Sequence, residues 1–208
     1  MVVLRSGNYD DVYSSVNKMS CRCFDPYFRP ATPEDVDKVL IQNDPSEYGC
    51  FSKVGKQNGT QIIQLSDDCF SERQIAHELF HGIGFYHEHA RSDRDNFVEI
   101  HENCIIEGLE DQFKVHPDAL TYGLPYNQKS LMHYRTLDFT NGRCAPITSK
   151  IEEVNDFDLG SAENITKLDI QKVFRMYNCS KASKFIVDPN TKWISYIQTH
   201  LSLLDFSI

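Results

Sequence analysis

His77-Glu78-Leu79-Phe80-His81 sets two imidazoles four residues apart, and that spacing predicts local structure. On an α-helix the two share a face and point the same way. Two imidazoles from one helical face can bind one metal ion, and Glu78 beside them can handle a water proton. Gly84 then lets the chain leave the helix, because glycine tolerates the left-handed backbone that ends helices. The turn that follows can return His87 as a third nitrogen ligand. Three protein ligands leave one position open for water, which separates a catalytic zinc site from a structural one.

A bare HExxH is only moderately specific; its extension through Gly84 to His87 is the longer metzincin spacing. A surface helix that merely carries histidines has no use for a glycine placed to bring back a third. The stretch HELFHGIGFYHEHARSDRD, residues 77–95, closely resembles the astacin signature, in which glutamate follows the third histidine. Ser130-Leu131-Met132-His133-Tyr134 resembles the Met-turn of the same family, although alone it would read as an ordinary buried strand or turn. The resemblance implies an apolar floor at Met132 beneath the zinc. It makes Tyr134 a fifth, displaceable ligand that stabilises the tetrahedral intermediate. Glu88 is then a support of the lower lobe, contacted in the family by the mature N-terminus. Arg91, Asp93 and Asp95 read as structural ion pairs. His89, His101, His116, His133 and His200 lack ligand spacing and read as surface or hydrogen-bonding histidines.

The chain of 208 residues, 40% hydrophobic, suits one domain with a substantial core. A net charge of −9 without a basic run excludes the usual nucleic-acid binder. No run approaches the roughly 20 apolar residues of a membrane helix. The seven cysteines contain no CxxC pair, and zinc is already served by histidines, so they suggest disulfides and an oxidising compartment. The resemblance implies bridges Cys50–Cys69 and Cys21–Cys179, with Cys23 as the alternative to Cys21. Cys104–Cys144 is possible among the remainder, and an odd cysteine is left over. Asn58, Asn164 and Asn178 stand in N-glycosylation triplets.

Tyr9 to Lys18 reads as a helix, and 38–42, 51–54 and 61–65 as strands. By resemblance the 61–65 strand is the sheet edge against which extended substrates lie antiparallel. Ser71 to Ile83 is the metal-site helix with Ser71 as N-cap, and 97–113 reads as helical or irregular. Thr166 and Asp169 form a capping box for a helix to about Tyr177, with an apolar face of Leu168, Ile170, Val173, Phe174 and Tyr177. The expected fold class is α+β: a two-lobed metzincin domain with a mixed upper sheet and a mostly irregular lower lobe. The domain is expected over residues 1–179, starting later than a complete family domain and lacking a strand of the upper sheet. No signal peptide is visible. Residues 180–208 form a tail of unknown role, with a short strand or helix at 193–197 and 201–204.

The expected activity is that of a secreted zinc endopeptidase working as a monomer on protein or peptide substrates bound in extended form. One zinc on His77, His81 and His87 activates water; Glu78 is the general base, and Tyr134 bears oxyanion charge. Lys150 is a candidate basic wall for acidic substrate residues, or simply a solvated lysine. The other reading is a catalytically impaired, zinc-bound module that only recognises protein partners.

Overall fold

The structure is a computed structural model that describes residues 2–5, 29–69 and 71–177. The expected Tyr9–Lys18 helix, the Cys21–Cys179 bridge, the Asn178 triplet and the tail after residue 179 lie outside the described residues.

Five strands form a mixed sheet: β1 Val2–Arg5, β2 Arg29–Pro30, β3 Lys38–Gln42, β4 Cys50–Ser52 and β5 Thr60–Leu65. Their order is β2-β1-β3-β5-β4, parallel except for the antiparallel pair β4–β5. Two expectations change here. Strand β1 sits between β2 and β3, so the sheet has a strand ahead of the first expected helix. Its Val-Val-Leu run suits a pleated, paired environment. The edge beside β5 is taken by β4, so 61–65 is an interior strand. Its burial agrees: Ile63, Gln64 and Leu65 are all at or below 1% exposure, on both faces of the strand. Burying Gln64 is tolerable because its amide donates to the carbonyls of Asp44 and Glu47 and accepts from the Asp44 N–H.

Helix α1, Glu72–Gly82, packs on β4 and β5 through Ile75 and Leu79. The Ser71 hydroxyl caps it by accepting the Gln74 N–H. Its end is a Schellman motif. Gly84, at φ 109°, donates to His81 O, and Phe85 donates back to Phe80 O. The accompanying apolar contact is the Phe80–Phe85 ring pair, 5.4 Å between centroids. Disulfide Cys50–Cys69 ties edge strand β4 to the turn leading into α1.

Beyond Gly84 the described residues, to 177, are mostly 3-10 turns and loops. The exceptions are an antiparallel pair, β6 Val98–Ile100 with β7 Ile147–Ser149, and helix α2, Lys167–Met176. A strand thus lies inside the 97–113 segment that reads as helical or irregular in sequence. Disulfide Cys104–Cys144 links the turn after β6 to the loop before β7. Two hydrophobic clusters result. One joins β3, β5 and α1 with Leu131, Met132 and Val173; the other joins Val98, Ile105, Phe113, Tyr126, Tyr134, Ile147 and Leu159.

Candidate metal centre

The three histidines at 77, 81 and 87 meet. His77 Nε2 and His81 Nε2 each lie 3.2 Å from His87 Nε2. The first two rings project from one face of α1, and the Schellman turn at Gly84 swings His87 back over them. The far side of two rings fixes their tautomers. His77 Nδ1 lies 2.9 Å from Leu131 O, and His81 Nδ1 lies 2.7 Å from Phe85 O. A carbonyl only accepts, so each Nδ1 carries the proton and each Nε2 presents a bare lone pair to the common point. Burial holds all three rings neutral, pushing the His77 pKa down to about 3 and depressing those of His81 and His87.

This donor set fits zinc. Nitrogens about 2.0–2.1 Å from a tetrahedral ion stand roughly 3.3 Å apart, close to the spacing seen here. Among the described residues, these three histidines are the group of His, Cys, Asp and Glu side chains able to hold a metal ion.

Glu78 is 3% exposed, and its Oε2 is buried without a hydrogen-bond partner. Burial raises its pKa to about 8. Met132, next to the Leu131 carbonyl that meets His77, is buried in the first hydrophobic cluster. Its carbonyl accepts the Glu88 N–H at 2.7 Å, stitching the 130–134 turn to the residue after His87. Tyr134 belongs to the second cluster. Its ring lies 4.5 Å from that of His87, and its hydroxyl makes a long, 3.5 Å contact with Gln112 Oε1.

Glu88 is 1% exposed and fully engaged. Oε1 accepts from Arg91 Nη1 at 3.0 Å and from Asn127 N at 2.9 Å, and Oε2 contacts the Lys172 ammonium. Arg91 also pairs with Asp93 through two hydrogen bonds, and Arg94 pairs with Asp95. Lys150 Nζ is exposed and donates to Asp95 O. His89 donates through Nε2 to Gln112 O, and His133 Nε2 meets the Tyr126 hydroxyl at 2.8 Å.

Sequence reading missed Lys172 and undervalued Asp169. The fully buried residues of α2 are Asp169, Lys172 and Val173; of the expected apolar set Val173 is buried, Leu168, Ile170 and Phe174 are half-buried, and Tyr177 is 39% exposed. The missed signal was the i, i+3, i+4 spacing of Asp169, Lys172 and Val173, hidden because two are charged. Asp169 caps its own helix and also accepts from Ser130 Oγ and Leu131 N.

An α+β fold that holds three histidines on a helix and its return turn, hydrogen-bonded to a methionine-containing turn, defines a metzincin. The profile of the Astacin peptidase family matches residues 11–178, and the chain belongs to that family. Zinc metalloproteinase nas-14 of Caenorhabditis elegans is 38% identical over 161 residues, covering 76% of this chain and 31% of that protein. Meprin A subunit alpha of Mus musculus is 37% identical over 164 residues, covering 77% of this chain and 21% of that protein. The chain thus spans about a third or less of the length of these curated relatives. Among solved structures, high choriolytic enzyme 1, a hatching-enzyme zinc protease of Oryzias latipes, aligns with TM-score 0.72 and 27% identity. That alignment covers 86% of this chain and 90% of the other.

Proposed function

We propose that residues 1–179 form a secreted zinc endopeptidase domain with His77, His81 and His87 as metal ligands. The observation that carries this is the convergence of three neutral Nε2 lone pairs, two of them from the helix that also carries a buried, unpartnered Glu78 oxygen. Bound there, zinc supplies Lewis acidity, polarising the scissile carbonyl and making water a nucleophile near neutral pH. Glu78 takes the water proton and returns it to the leaving amine. Its raised proton affinity suits that exchange, and a neighbouring dication lowers it again. Tyr134, whose ring lies against His87, would be the displaceable ligand, and its hydroxyl would serve the oxyanion. Met132 is the apolar floor. An extended substrate adds as an antiparallel strand to β4, the sheet edge among the described residues, where Phe51 is 44% exposed. Two disulfides support an oxidising, extracellular setting.

The test is Glu78→Gln in the zinc-loaded protein, assayed on a quenched peptide library. Removing a positioned general base lowers kcat by about a hundredfold or more while zinc content stays at one per chain. Undiminished cleavage by the variant would remove Glu78 from its role. Wild-type protein that holds zinc but cleaves nothing would point instead to a binding module.

A further inference from the structure

We infer that Lys172 is a positioning residue for the metal centre, acting through Glu88 on His87; the inference rests on the ligand assignment proposed above. Helix α2 reaches the site through two charged side chains three residues apart on one face. Asp169 grips Leu131 N and Ser130 Oγ, and Leu131 O in turn orients the His77 ring. Lys172 grips Glu88, the residue after His87. One helix thus braces a ligand from α1 and the ligand from the return turn.

Lys172 is the partner that closes the second path. Glu88 Oε1 is committed to Arg91 and Asn127, both in nearby loops. Oε2 has the Lys172 ammonium, from 84 residues further along the chain. The resemblance implied that a chain terminus supplies a cation to this carboxylate; here a side chain inside the described fold supplies one. Lys172 is 6% exposed, and burial lowers its pKa to about 7, while its nitrogen lies in contact with Glu88 Oε2. An ammonium kept at that cost holds the carboxylate, and with it the backbone at His87, in one place. A small pocket lined by Tyr86, His87, Glu88, Asp118, Leu120 and Lys172 lies against this contact, and trimming Lys172 to alanine enlarges it on the side an added amine would fill.

The experiment uses the zinc-loaded full chain and reads zinc release to a chromogenic chelator by stopped flow, alongside melting temperature. Lys172→Met releases zinc about 10- to 100-fold faster than wild type, the range for loss of a partner that orients a ligand. That variant strands a buried carboxylate and can fail to fold, so Lys172→Met/Glu88→Gln is measured beside it. The double variant regains melting temperature but still releases zinc fast, because the neutral pair no longer anchors α2 to the turn. In Lys172→Ala, propylammonium chloride slows release again, whereas tetramethylammonium chloride at equal ionic strength does not. Wild-type release rates in the folded double variant overturn the inference, as does equal rescue by both salts. A wild-type chain that takes up no zinc overturns the ligand assignment itself.

Discussion

Gly160 shows how much a single atom decides near this site. It sits at φ 59°, and a Cβ there would lie 2.4 Å from His133 O and 3.0 Å from Tyr134 C and O. Those neighbours are backbone and cannot rotate away. Gly160→Ala should therefore lower the urea midpoint by an amount equivalent to about 2 kcal/mol or more and disturb Tyr134. Gly84 offers a contrast at the same scale. At φ 109° its Cβ would meet the flexible end of Met176 at 2.5 Å, so the cost of Gly84→Ala comes mainly from the backbone. Backbone strain of that kind costs about 1–3 kcal/mol. A Gly160→Ala chain as stable as wild type would show that the 160 loop moves independently of the 130–134 turn.

The two helices differ in what their caps do. The Ser71 hydroxyl makes one hydrogen bond at the exposed start of α1, so Ser71→Ala should cost about 1 kcal/mol. Asp169 is 1% exposed and accepts from Thr166, Asn127, Ser130 and Leu131. Asp169→Ala removes one half of the capping box, leaving Thr166 as N-cap, and strands several buried donors, so its cost should be at least about 3 kcal/mol. Denaturant melts of both variants check the ordering; equal costs would show that Asp169 is no more than a helix cap. The same contrast shows what could be read from the chain. Short-range patterns carried α1, its cap, the turn at Gly84, β3, and the Thr166–Asp169 start of α2. The identity of α2's buried face was illegible because the partners of Asp169 and Lys172 lie about 40 and 84 residues away. Strand β6 was hidden for a similar reason. Its three residues pair with β7, whose register sets Val98 against Ser149, and no local alternation announces so short a strand. The edge position went wrong at β4, whose three residues give too little pattern to rank it outside β5.

At the scale of the whole molecule, the histidine cluster lies where two hydrophobic clusters meet. Met132 belongs to one and Tyr134, two residues on, to the other. A metal on the proposed ligands would therefore act as a fastener between them. A ligand present at about a thousand times its Kd stabilises the folded state by about 4 kcal/mol, so stripping zinc should lower the melting temperature by several degrees or more. The loss should not be uniform. Without the ion, the three converging Nε2 atoms lose their common partner, while β3 and β5 keep theirs in the sheet. Hydrogen exchange on chelator-treated protein should thus rise first in residues 84–91 and 130–134, and last in 60–65. Cys104–Cys144 bounds the effect on the lower side, because it fastens the turn after β6 to the loop before β7 independently of the metal. In a Cys104→Ala/Cys144→Ala variant that independent tie is gone, at a cost of about 2–4 kcal/mol. Chelation should then open residues 98–113 along with the ligand turns. If exchange rises evenly across the chain in both proteins, the two clusters unfold as one unit and the metal fastens nothing local.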